Sequence, residues 1–124
     1  MAKVDLTAES DVLVRELNNI KLEIQRLHES LRQLTAQKSE NESVSLEFDK
    51  LEPTSRVWKL TGPLMVLQET DEARSNVNKR IDYISKELIS VELKIKGAEA
   101  DFERKRGELV EIQTQIQSIT KVSQ

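Results

Sequence analysis

The sequence predicts a mainly α-helical fold, in which two long helices of one chain form an antiparallel coiled coil and are joined by a β-hairpin. Three observations predict it. Two long segments repeat apolar residues at steps of three and four, the segment between them concentrates strand-forming residues, and only four of the 124 residues are aromatic. Because aromatic side chains usually fill much of a compact core, this composition argues against an ordinary globular enzyme. The length fits one domain, residues 1–124.

The apolar repeat has a period of 3.5 residues, which is typical of a coiled-coil seam. Its first segment runs through Leu6, Leu13, Leu17, Ile20, Ile24, Leu27, Leu31 and Leu34, and its second through Val77, Ile81, Ile84, Leu88, Val91, Ile95, Ala98, Phe102, Leu109, Ile112, Ile116 and Ile119. Of 25 seam positions, the polar ones are Ser10, Lys38, Asn41, Arg74 and Lys105. Composition alone would make about nine of the 25 apolar. Isolated polar seam residues such as Lys38 and Asn41 are expected to fix the helix register.

Local signals give the expected helix bounds. Thr7 is suited to cap a first helix over residues 7–51, and Pro53 cannot continue it. Thr70 is suited to cap a second helix over residues 70–121, with acidic residues in its first turn. Rods of this length are too narrowly apolar to wrap a common core, so we expect them to pair with each other.

The pairing can be examined by arithmetic, because facing positions in an antiparallel coil have residue numbers with a constant sum. A sum of 122 gives six facing pairs in which both residues are apolar: Leu13 with Leu109, Ile20 with Phe102, Ile24 with Ala98, Leu27 with Ile95, Leu31 with Val91, and Leu34 with Leu88. The centre, residue 61, falls between the two repeats. A parallel dimer of chains would need the same stripe and stays open here. Phe48 leaves the register, so this end of the first helix is expected to pack on more than the second helix.

Residues 56–68 are predicted to form a β-hairpin with a turn at Gly62-Pro63. With a two-residue turn, Trp58, Leu60, Met65 and Leu67 share one face, and Val57, Leu64 and Val66 share the other. Both faces are then largely apolar and both strand edges lack partners. The chain has no other strand-like segment, so these seven residues are predicted to assemble with strands of other subunits. The alternative is that the hairpin folds back over the helix ends.

The sequence offers little material for catalysis or for holding a cofactor. It has no cysteine, and its one histidine, His28, lies beside the seam. The three glycines are too scattered for a phosphate-binding loop. We therefore expect no catalytic residue, no metal site, no cofactor and no ATP binding.

Charge and hydropathy indicate an unexported, cytoplasmic protein. The net charge of −3 disfavours nucleic acid and anionic membranes as partners, and no apolar run approaches a membrane span or a signal peptide. The basic clusters Lys79-Arg80 and Arg104-Lys105-Arg106 are interpreted as solvated, salt-bridged helix faces, because acidic residues are interleaved with them.

The helix ends that carry the two termini hold more apolar residues than two paired helices can bury. These residues are Val4, Leu6, Val12, Val14, Val110, Ile116, Ile119 and Val122. Surplus apolar surface often marks a binding site, so they are predicted to bind a partner. Frayed termini with incidental valines are the alternative.

The order of helix, hairpin and helix, together with two sequence runs, resembles the prefoldin family, in its β class. The runs are Val57-Trp58-Lys59-Leu60-Thr61-Gly62-Pro63-Leu64-Met65-Val66 and Val77-Asn78-Lys79-Arg80-Ile81-Asp82-Tyr83-Ile84. The resemblance implies a heterohexamer of two α-class and four β-class subunits, whose hairpins build a double β-barrel platform carrying six coiled coils. It also implies that the helix tips bind unfolded clients, notably actin and tubulin, and pass them to the cytosolic chaperonin without ATP.

The residues and the resemblance together predict a subunit of an ATP-independent holdase rather than an enzyme. In this hypothesis the hairpin assembles, and the tips bind unfolded or nascent proteins weakly and in multiple copies. The alternative is a structural coiled-coil adaptor in a cytoskeletal, transport or transcriptional complex.

Overall fold

The computed structural model describes residues 2–52 and 54–123. The elements follow the order α1 (Ala2–Asp49), β1 (Val57–Thr61), β2 (Leu64–Gln68) and α2 (Thr70–Ser123). Packing divides the chain into two compact units, which we call the hairpin unit, residues 31–90, and the terminal unit, residues up to 30 and from 91 onward. The predicted mainly α-helical fold, with two long helices joined by an antiparallel hairpin, is confirmed.

The start of α1 differs from the prediction. The helix begins at Ala2, and Thr7 lies inside it with its Oγ1 donating a hydrogen bond to the Lys3 carbonyl oxygen at 2.7 Å. Thr7 therefore does not cap α1. The residues before it include no helix breaker, and Ala2 and Lys3 are among the better helix formers.

The other helix ends lie close to the expected positions. α1 ends at Asp49, and beyond it the Leu51 amide donates to the Phe48 carbonyl at 3.2 Å, a three-residue step that tightens the end of the helix. Pro53, the predicted terminator, lies outside the described residues. The Ala73 amide donates to the Glu69 carbonyl at 3.0 Å, which makes Glu69, rather than Thr70, the cap residue of α2.

The hairpin has the predicted two-residue turn. Thr61 pairs with Leu64, which leaves Gly62 and Pro63 as the connection. Gly62 has a φ of 59°. A positive φ at the first central position is what a type II′ turn requires, and glycine adopts it without strain. The turn therefore fixes the register of both strands.

The core of the hairpin unit joins both helices to the first strand. Phe48 of α1 is buried together with Ala73 and Val77 of α2, and Val57 and Ile81 pack against them. This arrangement explains why Phe48 departs from the heptad register, because its partners include a strand residue. The expectation that this end of α1 packs on more than α2 is confirmed.

In the terminal unit, the two helices pack side by side in opposite directions. Leu13 shares a groove with Ile112, and Ile20 shares a groove with Ala98. Residue numbers along α1 therefore rise as those along α2 fall, which is the antiparallel arrangement. The parallel dimer of chains is not needed to bury the seam.

Two polar seam residues connect the helices. Lys105 Nζ lies 2.5 Å from Glu16 Oε2 in the terminal unit, and the two residue numbers, 105 and 16, add up to 121. In the hairpin unit Arg74 Nη2 donates to the Phe48 carbonyl oxygen at 3.0 Å, and 74 and 48 add up to 122. Each unit thus has the predicted register to within one residue.

The two polar residues predicted to fix the register do not do so. Asn41 Nδ2 donates to the Gln37 carbonyl at 2.7 Å, and Lys38 Nζ lies 3.9 Å from Glu42 Oε1. Both contacts stay within α1. The prediction for Lys38 and Asn41 is wrong, because both side chains reach a partner one turn away on their own helix.

Candidate interaction surfaces

The largest apolar surface of the hairpin unit lies on the two strands. Six large side chains there are between 49% and 67% exposed. They form what we call the hairpin surface: Trp58, Leu60, Leu64, Met65, Val66 and Leu67. Trp58 faces Leu67 across the strands and Leu60 faces Met65, so the first predicted face consists of two cross-strand apolar pairs.

Val57 is the one predicted assembly residue that this chain itself covers. It is partly buried and packs against the cluster of Phe48, Ala73 and Val77. The alternative in which the hairpin folds back over the helix ends therefore applies to Val57 and leaves the hairpin surface open. Val57 therefore anchors the hairpin to the helices of its own chain.

The strands also carry unpaired backbone groups at their outer edges. Among the described residues the sheet has two strands, β1 and β2, so each strand has one open edge. An isolated two-stranded hairpin is marginally stable, and an open apolar edge is a template for further strands. Full burial of each large apolar side chain would contribute about 1.5 to 3 kcal/mol. The hairpin surface thus has the chemistry of an incomplete sheet.

The eight residues predicted to bind a partner at the helix ends all lie in the terminal unit, and their exposure divides them. Five are exposed: Val4, Val12, Val14, Val110 and Val122. The other three, Leu6, Ile116 and Ile119, are partly buried. Val4 and Val122 are the most open, at 70% and 86%. Apolar surface therefore remains after the helices have paired, as the sequence predicted.

A groove in the terminal unit is lined by one of these residues, Val12, together with residues that were not predicted to bind a partner. Its volume is about 450 Å³, and its lining has an apolar part, Ala8, Val12, Leu13 and Ile112, and an acidic part, Glu9, Glu16 and Glu108. Val12 is the predicted residue that lines it, and Val14 and Val110 lie elsewhere. The seven-residue spacing of Glu9 and Glu16 beside the seam is the signal that could have predicted the acidic part.

The basic cluster of α2 in the terminal unit is neutralised by neighbouring acids. Arg104 contacts Asp101 at 3.4 Å and Glu108 at 4.0 Å, and Arg106 contacts Glu103 at 2.9 Å. The hydrogen bond with Glu103, reinforced by its charge, raises the pKa of Arg106 above its ordinary value. The interpretation of this cluster as a salt-bridged helix face is confirmed.

The other basic cluster behaves differently. Among the described residues, neither Lys79 nor Arg80 has an acidic side chain within ion-pair distance, although Asp82 is close in sequence. The interpretation of Lys79-Arg80 as salt-bridged is therefore wrong. Asp82 lies three residues after Lys79, a spacing at which helix side chains are neighbours, so the spacing permits an ion pair without ensuring one.

The described residues provide no group of three or more side chains suited to hold a metal ion. His28 is exposed on α1. Within residues 2–52 and 54–123, neither helix has a stretch apolar enough to cross a membrane.

Comparison with known proteins gives a consistent result. Residues 12–121 match the family described as Prefoldin subunit. The chain is 36% identical to prefoldin subunit 6 of Arabidopsis thaliana over 93% of this chain and 89% of that protein. It is 43% identical to the probable prefoldin subunit 6 of Drosophila melanogaster over 68% of this chain and 67% of that protein.

A solved structure shares the fold. The crystal structure of the prefoldin beta2 subunit from Thermococcus strain KS-1 superposes with a TM-score of 0.63 at 16% identity, covering 73% of this chain and 97% of that one. The resemblance to the prefoldin family that the sequence runs suggested is confirmed, and both of these relatives are named as subunit 6. Prefoldin subunits are components of a chaperone rather than enzymes, and other prefoldin subunits are their partners. The chain belongs to the prefoldin family.

Proposed function

We propose that this chain is one β-class subunit of a heterohexameric, ATP-independent chaperone of the cytoplasm. It assembles with α-class and other β-class prefoldin subunits through the hairpin surface and Val57. It binds unfolded or nascent proteins, of the actin and tubulin type, through the terminal unit, and it delivers them to the cytosolic chaperonin.

The hairpin surface is the observation that carries the assembly step. Six large apolar side chains stand open on a two-stranded sheet whose outer edges have no partner strand in the part of the chain that the structure describes. Strands of neighbouring subunits would satisfy both needs at once, since pairing completes the backbone hydrogen bonds and covers the side chains. The same surface, left open, would favour aggregation.

Client binding is assigned to the exposed residues of the terminal unit. Val4, Val12, Val14, Val110 and Val122 offer scattered apolar contacts. Each contact is weak alone, and several such surfaces on one platform raise the effective concentration of each further contact. Release then needs only a competing partner that displaces these contacts one at a time, so nucleotide hydrolysis is unnecessary.

The test uses the complex purified through this chain, with and without residues 1–12 and 112–124. The intact complex should suppress aggregation of a chemically unfolded protein in the absence of nucleotide. The truncated complex should keep its mass and lose this effect. Unchanged suppression after truncation would place the client site elsewhere, and a native mass of two chains would favour the structural adaptor.

A further inference from the structure

The hairpin unit contains an apolar groove whose lining residues come from the two helices. It has a volume of about 420 Å³, and its main lining residues are Leu34 and Asn41 of α1 and Lys79, Arg80, Tyr83 and Ile84 of α2. We call it the Tyr83 groove. Its lining includes no residue of the hairpin surface and none of the terminal unit, so the proposed function does not use it.

The floor of the Tyr83 groove is apolar and its edge is aromatic. Ile84 is buried and Leu34 partly buried between the helices, while Tyr83 is 65% exposed. An exposed tyrosine beside an apolar floor presents a large rigid contact area that the folded chain leaves unused. Tyrosine and arginine are both enriched among the residues that dominate binding at protein interfaces.

The charge of the groove has one sign. Lys79 and Arg80 are its ionisable lining residues apart from Tyr83, and neither has an acidic partner among the described residues. Arg104 and Arg106 lie on the same helix, and both form ion pairs with acidic residues of that helix. Lys79 and Arg80 differ from them in this respect. The groove therefore attracts anionic groups and repels cationic ones.

The shape of the site indicates what kind of anion fits. A groove between two antiparallel helices accepts the side chains of a third helix as a ridge enters a groove. Two cations beside an apolar floor do not make the long basic track that nucleic acid requires, and the whole chain has a net charge of −3. A helix with apolar residues on one stripe and acidic residues beside it satisfies the floor and the charges together.

We propose that the Tyr83 groove binds an acidic amphipathic helix of a partner protein. The apolar stripe of that helix covers Leu34, Tyr83 and Ile84, and its carboxylates pair with Lys79 and Arg80. Such binding leaves the terminal unit free, so a partner at this groove and a client can be bound at the same time.

The test measures fluorescence anisotropy of a labelled three-heptad peptide, with leucine at the seam positions and glutamate beside them, titrated with the complex purified through this chain. Binding should saturate, and Tyr83→Ala or the double change Lys79→Glu with Arg80→Glu should weaken it about tenfold or more. The exposed Lys86 lies on α2 outside the groove, so Lys86→Glu is the matched control and should leave binding unchanged.

Several results would overturn the proposal. They are absence of saturable binding, equal binding of a peptide with lysine in place of glutamate, and equal loss with the control variant. Displacement of the peptide by a single-stranded oligonucleotide would assign the groove to nucleic acid instead. Self-association of the complex that depends on Tyr83 would assign it to a second copy. Suppression of client aggregation should be unaffected by Tyr83→Ala, which separates this test from that of the proposed function.

Discussion

Lys105 Nζ and Glu16 Oε2 lie 2.5 Å apart and join the two helices of the terminal unit. Lys105 occupies a seam position, where its side chain is 24% exposed, and Glu16 stands beside the seam at 41%. The ion pair lowers the cost of placing a cation in the apolar seam. It also favours this alignment of the two helices over alignments that are shifted by one heptad.

Disrupting this ion pair should lower the free energy of unfolding only slightly, and the effects of substituting its two residues should not be additive. Partly exposed ion pairs contribute about 0.2 to 1 kcal/mol, and salt weakens them. In a double-mutant cycle of Lys105→Ala and Glu16→Ala, measured by urea unfolding, we expect a coupling in this range that shrinks at high salt. Lys105→Leu, which removes the charge but keeps an apolar side chain, should be neutral or stabilising. A coupling of zero at low salt would contradict the assigned pairing.

Replacing glycines inside α2 should stabilise the terminal unit. Gly97 and Gly107 lie in a helix, and a Cβ added at either would meet nothing within 4 Å. Gly97→Ala and Gly107→Ala should each raise the free energy of unfolding by about 0.5 to 1 kcal/mol. Gly62→Ala is the opposite control, because the φ of 59° at the turn disfavours any side chain. Thermal unfolding followed by circular dichroism checks all three changes. Destabilisation by Gly97→Ala or Gly107→Ala would contradict the conclusion that a methyl group fits at these positions.

Phe48 should be the most sensitive core position of the hairpin unit. It is 7% exposed and contacts both helix and strand residues. Truncation of a buried phenylalanine to alanine costs about 3 to 5 kcal/mol. Phe48→Ala should therefore speed the hydrogen exchange of the backbone amides in β1 and β2. Leu46→Ala, at a 60% exposed position on the same helix, should leave their exchange unchanged. Equal exchange in the two variants would show that the hairpin does not depend on this core.

A charge in the terminal groove should impair client binding without loosening the helices. Val12 lines that groove and is 46% exposed. Val12→Asp adds a carboxylate beside Glu9 and Glu16, so it should weaken aggregation suppression several-fold. Leu22→Asp, at a 50% exposed position of α1 outside the groove, is the matched control. The comparison uses light scattering at equal complex concentration, and equal loss in the two variants would remove Val12 from the proposed site.

The sequence predicted the features that depend on periodicity. The heptad seam and its register follow from the spacing of apolar residues, the turn follows from the residue types Gly62 and Pro63, and the structure has each of them. The start of α1 was missed because a threonine resembles a cap wherever it stands, whereas its bond to Lys3 depends on the residues before it forming a helix.

Charge pairing was harder to predict, because charges three or four residues apart on one helix can form an ion pair without having to do so. Arg104 and Arg106 reach acids three or four residues away, and Lys79 and Arg80 do not. The two grooves were missed for another reason. The acidic lining of the terminal groove combines residues from two helices, and so does the lining of the Tyr83 groove. From one sequence, the position of each residue along the coiled-coil axis can be predicted. Which residues of the two helices share one side of the coiled coil cannot.

The central claim is that the hairpin surface assembles this subunit, and native mass spectrometry of the complex purified through the chain tests it most directly. Leu60→Asp combined with Met65→Asp places two carboxylates on one cross-strand pair, and Leu46→Asp adds one at an exposed site of the same unit outside the hairpin. The unmodified chain and the Leu46 variant should yield a mass near six small subunits, and the hairpin variant should yield the free chain with its helicity intact. A full-size complex containing the hairpin variant would contradict the account.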